Sequence, residues 1–315
     1  MEKFDAMCGI IGVMLNERGN VGELLYKMML ALQHRGTDSA GVAVYTGDGL
    51  SEDEYILMIQ VRDTPGAIGK IGDAVGKAGG DIRDIHVRLS RKGAFGINKY
   101  IIRAPDIATL KQIVESVDST DAGKVLSYGR SIEILKETGT VDDLEKSYGI
   151  SKLNGTHGLG HVRFSTESKV DHRHAHPFHT KTHPDIAVVH NGQITNYNNI
   201  RRKLERRGYS FTTDNDTECI VHFIVDKLQQ GHSLENALRA SVDELDGPFS
   251  YIISTPNSIG VARDKLGLRP VMLAEDGSGH YIASEECALI WVCGDQSPVY
   301  LEPGEVRVYE RREDR

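Results

Sequence analysis

Cys8 is the residue of this sequence best suited to nucleophilic chemistry. It follows Met7 directly and opens an apolar run that predicts a buried strand over residues 8–15. Cysteine attacks as the thiolate, so a catalytic cysteine needs a nearby base. If residues 1–7 are absent from the mature chain, the α-amine of Cys8 can be that base, because its pKa of about 8 is close to the thiol pKa of about 8.5. A lone cysteine of this kind is nevertheless more often an inert residue at the start of a strand.

Three further polar sites lie where predicted elements begin or end. Arg163 stands where a strand leads into a polar loop, Asn191-Gly192 follows a buried strand, and Asp216 lies in a polar segment that caps a helix. Taken singly, each has an ordinary explanation, namely a surface cation, a turn and a helix cap.

A histidine-rich segment could indicate a metal site. His172, His174 and His176 lie on one side of this segment if it is extended. However, no carboxylate or cysteine lies at a familiar ligand spacing, and Arg173 and Lys181 add positive charge. We therefore predict no metal site.

Composition excludes several classes of protein. The 315 residues are 39% hydrophobic and 26% charged, which is ordinary for a globular protein, and the formal net charge of −8 argues against nucleic acid as the main partner. No apolar run approaches the roughly 20 residues that cross a bilayer, and the N-terminus lacks the apolar core of a secretory signal. Four cysteines without C-x-x-C spacing favour reduced thiols, so we expect a cytoplasmic protein without membrane contact.

The elements that must position these residues lie in the first 50 and the last 185 or so residues. Apolar periodicity predicts helices over 22–32, 198–207 and 234–245, and a polar helical connector over 140–148. The polar segment 213–218 caps a further helix that runs through Val221, Ile224 and Leu228. Predicted strands lie at 42–45, 186–190, 249–254, 258–263, 271–275, 281–283 and 306–309, and residues 158–166 form a strand that leaves onto a polar loop.

The intervening residues 51–130 have a different pattern. Strands at 55–61, 84–89, 96–103 and 124–127 and helices at 67–77 and 105–117 give the order βαββαβ, which is ferredoxin-like. The turn Asp63-Thr64-Pro65-Gly66 resembles the strand-to-helix turn of the ACT family, which implies amino-acid binding. The alternative is that this unit only packs on its host or forms a subunit contact.

Six motifs in chain order resemble class II glutamine amidotransferases, which belong to the N-terminal-nucleophile hydrolases. They are Met7-Cys8-Gly9-Ile10-Ile11-Gly12, Gln33-His34-Arg35-Gly36-x-Asp38-Ser39-Ala40-Gly41, Gly160-His161-x-Arg163-Phe164-Ser165-Thr166, Ala175-His176-Pro177-Phe178, His190-Asn191-Gly192 and Asn215-Asp216-Thr217-Glu218. The resemblance implies an α+β fold, a four-layer αββα sandwich, formed by residues 8–50 and 131–315 with the ACT-like unit inserted at 51–130.

The resemblance also implies catalytic roles. Cys8 would attack the side-chain amide of L-glutamine, and the Asn191 side chain and the Gly192 backbone N–H would stabilise the oxyanion. Arg163 would bind the α-carboxylate of the substrate and Asp216 its α-ammonium group, which together select free L-glutamine. Thr166 and His176 occupy positions that line the pocket in relatives.

The leading residues 1–7 leave two alternatives open. They are either a cleaved propeptide or a mis-assigned start, in which case translation begins at Met7 and methionine removal exposes Cys8. The chain ends soon after the glutaminase motifs, so we expect a separate synthase subunit to receive the ammonia. In this respect the chain resembles the stand-alone amidotransferase subunit of archaeal-type glutamate synthases and of N-methylglutamate synthase. No cofactor is predicted in this chain, and flavin and iron–sulfur clusters are implied for the partner only.

Two other functions remain open on the sequence. One is an amidase of the same fold that acts on another amide. The second is a regulatory subunit in which the insert senses an amino-acid effector while the hydrolase scaffold is inactive or unprocessed.

Overall fold

The computed structural model describes residues 7–47, 50–87, 95–164, 170–171, 174–180, 183–293 and 297–311. The strands, in chain order, are β1 (Gly9–Gly19), β2 (Ser39–Tyr45), β3 (Glu54–Arg62), β4 (Asp81–His86), β5 (Phe95–Arg103), β6 (Gly123–Gly129), β7 (Ile132–Thr138), β8 (Gly155–Arg163), β9 (Phe178–His179), β10 (Ala187–Gly192), β11 (Phe249–Thr255), β12 (Ser258–Arg263), β13 (Met272–Glu275), β14 (Gly279–Ala283), β15 (Val299–Tyr300) and β16 (Val306–Glu310). The helices are α1 (Val21–Ala31), α2 (Ala67–Lys77), α3 (Ile107–Asp118), α4 (Val141–Tyr148), α5 (Tyr197–Arg206), α6 (Asp216–Gln229), α7 (Leu234–Glu244) and α8 (Glu286–Cys293). None of these described helices has the length and apolarity to span a bilayer.

Two antiparallel sheets stack face to face. One has seven strands in the order β15-β13-β14-β1-β8-β2-β7, and the other has five in the order β16-β12-β11-β10-β9. Ile10 and Leu159 from the first sheet pack against Val189, Ile252 and Val261 from the second, and all five side chains are fully buried. This apolar layer holds the two sheets together.

Helices cover the outer face of each sheet. Helices α1, α4 and α8 pack on the seven-stranded sheet, and α6 and α7 pack on the five-stranded sheet, with α5 against α6. The order of layers is therefore αββα, as predicted, and β1, β8 and β10 lie in the two inner layers.

The segment between β2 and β7 forms a separate sheet. Its strand order is β4-β5-β3-β6, and α2 and α3 pack on one face around a core that includes Leu57, Ile71, Tyr100 and Ile113. The observed βαββαβ order matches the predicted ferredoxin-like topology.

The other face of this smaller sheet packs on the rest of the molecule. Ile56 and Met58 of β3 and Ile97 of β5 belong to the same buried cluster as Leu135 of β7 and Leu144 of α4. The inserted unit is thus joined to the seven-stranded sheet by an apolar contact as well as by the chain.

The end of the inserted unit is bound to the segment that leads into β10. An oxygen of the Asp185 carboxylate accepts hydrogen bonds from the backbone N–H groups of Arg130 (2.9 Å) and Ser131 (2.8 Å). A Cβ at Gly129 would lie 2.4 Å from Asp185 Oδ1, so a larger residue there would displace this carboxylate.

Several element assignments differ from the predictions. Strand β4 begins at Asp81, directly after Gly80, instead of at 84, and the last two residues of the predicted strand 84–89 lie outside the described part of the chain. Strand β7 was not predicted from the sequence, because both of its faces are buried and it shows no alternation of polar and apolar residues. Helix α8 and the short strands β9 and β15 were not predicted from the sequence; α8 has only one charged residue, Glu286, and no polar stripe.

Candidate active site

Strand β1 fixes the position of Cys8. It pairs with β8 on one side and with β14 on the other, in the middle of the seven-stranded sheet. The half-buried Cys8 thiol lies 3.6 Å from the carbonyl oxygen of Phe164, and the Arg35 side chain donates a hydrogen bond from Nε to the Cys8 carbonyl oxygen at 3.0 Å. Cys8 is therefore held by contacts on both its side chain and its main chain.

Arg163 lies beside Cys8 because of the register between β1 and β8. Gly9 pairs with Val162, so the last residue of β8 reaches the start of β1. The arginine is only 3% exposed, and its burial lowers the pKa of the guanidinium, whereas the charges of Cys8 and Asp38 act in the opposite direction. A mostly buried cation beside the thiol is suited to hold an anionic group of a ligand.

Asn191 and Gly192 end strand β10. Gly192 has φ +124°, and a Cβ there would lie 2.0 Å from the Pro248 carbonyl oxygen, so only glycine fits. The Asn191 side chain is 2% exposed, and its Nδ2 has no hydrogen-bond partner among the described residues. A buried amide N–H group without a partner is costly unless a ligand accepts its hydrogen bond.

Asp216 is the first residue of helix α6. Asn215 caps this helix through its side-chain oxygen, which accepts from the backbone N–H of Thr217 at 2.9 Å. One Asp216 oxygen accepts from the backbone N–H of Ile194 at 2.8 Å, which ties the helix to the segment after Gly192. The carboxylate remains 22% exposed and is accessible from the cavity.

These elements converge on one cavity. It encloses about 700 Å³ and is lined by residues that include Cys8, Arg163, His176, Gly192 and Asp216. Five of the seven predicted site residues thus meet at one place, although they are spread over more than 200 positions of the chain.

The other two predicted site residues have different outcomes. Asn191 is buried directly beside the lining residue Gly192. Thr166 lies outside the residues that the structure describes, as do His172, Arg173 and Lys181 of the histidine-rich segment.

A group of buried histidines lies next to the cavity and was not anticipated as a unit. The hydroxyl oxygen of Thr217 is 2.9 Å from His176 Nε2 and 3.0 Å from His190 Nδ1. The ring of His161 stacks on that of His176 at 4.0 Å, and its Nε2 lies 3.0 Å from the carbonyl oxygen of His190. Thr217 and the three histidines each belong to a sequence motif, but only the folded structure shows that they are in contact.

Burial keeps these three imidazoles neutral. It lowers the pKa of His161 to about 3, that of His176 well below its usual value, and that of His190 in the same direction, although the charge of Asp216 opposes the shift at His190. Burial also raises the pKa of the Cys8 thiol, whereas hydrogen bonding with the Phe164 backbone and the charges of Arg163 and Arg35 act against this increase.

Comparison with known proteins places the fold in a class. The structure superposes on glutamine phosphoribosylpyrophosphate amidotransferase from B. subtilis with a TM-score of 0.60 at 21% sequence identity, over 96% of this chain and 47% of that one. At this identity the likeness shows that the fold is shared. The sequence profile described as "Glutamine amidotransferase domain" matches residues 161–290, which contain Arg163, Asn191 and Asp216.

Two relatives extend the similarity over nearly the whole chain. A candidate glutamine amidotransferase of Methanothermobacter thermautotrophicus is 46% identical over 306 residues, which is 96% of this chain and 100% of that protein. The glutamine amidotransferase-like protein GlxB of Rhizobium meliloti is 32% identical over 306 residues, or 96% and 97% of the two chains. The chain belongs to the glutamine amidotransferase family.

The buried histidines predict a specific acid sensitivity. Below pH 6.5 the unfolded chain binds a proton on each of these histidines, whereas the folded chain keeps them neutral. The free energy of unfolding should therefore fall with decreasing pH below 6.5, by up to about 1.4 kcal/mol per pH unit for each histidine. His161→Gln should reduce the change in unfolding free energy per pH unit by the contribution of one histidine. The measurement is urea unfolding between pH 6.5 and pH 5.

The exposed His232 supplies the control for this measurement. His232→Gln should keep the wild-type dependence of unfolding free energy on pH. An unchanged slope in His161→Gln would contradict the assignment of His161 as a buried neutral residue.

Proposed function

We propose that this chain hydrolyses L-glutamine to L-glutamate and ammonia through a cysteinyl thioester. The observation that carries the proposal is the meeting of Cys8, Arg163, Gly192 and Asp216 at a single cavity. A nucleophile, a cation, a closely approached backbone amide and an anion are the groups that a free amino acid with a reactive side-chain amide requires.

The first step is attack by Cys8 on the γ-amide carbon of glutamine. Because burial raises the pKa of its thiol, Cys8 is protonated at neutral pH and needs a base to remove the proton. In a chain that begins at Cys8, the α-amine of the same residue takes this proton. It then gives the proton to the leaving nitrogen as the C–N bond breaks, so that ammonia departs and a γ-glutamyl thioester forms. Water hydrolyses the thioester to glutamate and restores the thiol.

Asn191 and Gly192 would stabilise the oxyanion of each tetrahedral intermediate. The unpartnered Nδ2 of the buried Asn191 and the main chain of Gly192, which can carry no side chain, lie beside the cavity. Loss of one oxyanion donor typically raises the barrier by about 3–4 kcal/mol.

Arg163 and Asp216 would select free glutamine by its two charged groups. The buried guanidinium of Arg163 matches the α-carboxylate, and the Asp216 carboxylate, which lines the same cavity, matches the α-ammonium group. His176 lines the same cavity, and Thr166 is proposed to line it by family resemblance alone. An amidase for other amides would not need both charges.

We further propose that the ammonia passes to a separate synthase subunit, most simply in a complex of the glutamate synthase type, with flavin and iron–sulfur clusters in that partner. In support, the alignments cover 100% and 97% of the two relatives described above, so these relatives are about as long as the region that they share with this chain. In contrast, the amidophosphoribosyltransferase of Methanocaldococcus jannaschii, 34% identical, is matched over 39% of its length.

The inserted unit is proposed to be an ACT-like module that binds an amino-acid effector. Its βαββαβ topology supports this assignment, as does the exposed turn at Asp63–Gly66, where Gly66 has φ +85° at the start of α2. Its apolar contact with β7 and the hydrogen bond from Arg130, which follows its last strand, to Asp185 would connect such a site to the amidotransferase layers.

The effector proposal predicts ligand-dependent stability in Cys8→Ala protein. An amino acid other than glutamine or glutamate should raise the melting temperature, because 100 Kd of a ligand stabilises the folded state by about 2.7 kcal/mol. Asp63→Ala should abolish the increase, and Asp73→Ala, an exposed position on α2, should keep it. If none of the other eighteen amino acids changes the melting temperature, the insert is a packing unit.

The glutaminase proposal predicts a defined change in Asp216→Asn. Loss of a charge-assisted hydrogen bond of about 1.5–3 kcal/mol should raise the KM for glutamine by about 10- to 150-fold, with a smaller change in kcat. Glutamate release is the assay, and the variant should also lose competitive inhibition by glutamate.

Asp214→Asn is the matched control, because Asp214 lines the same cavity but its side chain is 95% exposed and pairs with Arg201. This variant should change KM by less than about threefold, as expected for an exposed charge. Equal KM changes in both variants would mean that net charge, and not contact with the α-ammonium group, governs binding. Wild-type protein starting at Cys8 that releases no glutamate would overturn the proposed function.

A further inference from the structure

We propose that Glu285 is a positioning residue for the Cys8 nucleophile and that it acts through Arg35. The inference rests on the proposed glutaminase function and adds a residue that lies outside all six sequence motifs. It is carried by a continuous chain of contacts from the end of β14 to the main chain of Cys8.

Arg35 links the two residues directly. Its Nε donates to the Cys8 carbonyl oxygen at 3.0 Å, and its Nη1 forms an ion pair with Glu285 Oε1. The arginine is 3% exposed, and its Nη2 has no hydrogen-bond partner among the described residues. A buried guanidinium needs a counterion, and Glu285 is the carboxylate that the described structure places in contact with it.

Glu285 is itself held in place. Its second oxygen is 2.9 Å from His34 Nε2 and 3.6 Å from the Cys287 thiol. The preceding residue, Ser284, bonds to Ile10 twice, accepting from its backbone N–H at 3.0 Å and donating to its carbonyl oxygen at 3.1 Å. The Glu285 carboxylate is thus fixed relative to Ile10 of β1, and Ile10 lies two residues after Cys8.

The bond from Arg35 to the Cys8 carbonyl oxygen affects both reacting groups of Cys8. Its α-amine and its thiol both project from the residue whose carbonyl Arg35 holds, so this bond sets the orientation of the base relative to the nucleophile. The charge of Arg35 also favours the thiolate, together with that of Arg163 and against that of Asp216. Without Glu285, the contact that holds Arg35 Nη1 is lost, so the guanidinium should move away from the Cys8 carbonyl oxygen, and with this displacement both effects weaken.

The test compares Glu285→Ala with Glu285→Asp, which keeps the charge, and with Glu286→Ala, which removes the adjacent exposed carboxylate. Intact mass gives the fraction of each protein that begins at Cys8, and rates are expressed per processed chain. Glu285→Ala should lower kcat for glutamine by about 10- to 100-fold, because misplacement of reacting groups by about 1 Å has effects of this size. The KM should stay within about threefold.

A second readout does not depend on glutamine turnover. Alkylation of Cys8 by iodoacetamide, followed by peptide mass to separate it from Cys219, Cys287 and Cys293, should reach half its maximal rate at a higher pH in Glu285→Ala than in wild type. Glu285→Asp should recover part of both effects, and Glu286→Ala should match wild type in both.

The outcomes separate this inference from the proposed function. If wild type releases no glutamate, the proposed glutaminase function is wrong. The pH dependence of Cys8 alkylation still decides the role of Glu285 in that case. The inference is wrong if Glu285→Ala keeps the wild-type kcat and the wild-type pH dependence of alkylation. This holds also if the variant has a changed melting temperature while both of these readouts stay the same. If Glu285→Ala does not fold, Glu285→Gln, which keeps the side-chain length, replaces it, and an unchanged kcat in that variant overturns the inference.

Discussion

The antiparallel pairing of β1 with β8 is the constraint on which the site depends. It sets the register that brings the start of one strand to the end of the other, and so places Cys8 beside Arg163. Because β1 is also bonded to β14, Cys8 directly precedes a central strand of the seven-stranded sheet and not an edge strand. The second sheet, stacked on the first through apolar side chains, brings Gly192 to the same cavity at the end of β10. Precise placement of a reactive residue on a strand is easier to maintain than placement on a loop.

Burial around this constraint determines which groups can carry charge. It keeps three histidines neutral and the Cys8 thiol protonated, so none of these groups supplies a ready-made ion at neutral pH. The charges at the site belong to arginine and aspartate side chains, which suit the two ends of an amino acid. Because their lowered pKa values make the buried imidazoles weak proton acceptors, the proposed mechanism assigns the base to the α-amine of Cys8.

The resemblance to class II glutamine amidotransferases, carried by six motifs, implied the layers and the candidate site residues, whereas local patterns alone predicted only the single strands and helices. The motifs around Arg163, Gly192 and Asp216 each sit at the end of a strand or the start of a helix, and the ends of those elements meet in the fold. Glu285 could not be predicted, because it is 250 residues from Arg35 in the chain and lies in no motif. Strand β7 was missed because burial on both faces removes the alternation by which strands are recognised. The link from His161 to His190 through a carbonyl oxygen likewise depends on tertiary contact alone.

The most direct test of the account is the intact mass of purified protein before and after reaction with diazo-oxo-norleucine, an electrophile that resembles glutamine. The account predicts a chain that begins at Cys8 and gains one adduct on that residue, with protection by glutamine and no adduct in Cys8→Ala. A chain that retains residues 1–7 and gains no adduct, or an adduct that glutamine does not prevent, would contradict the assignment of Cys8 as the glutaminase nucleophile.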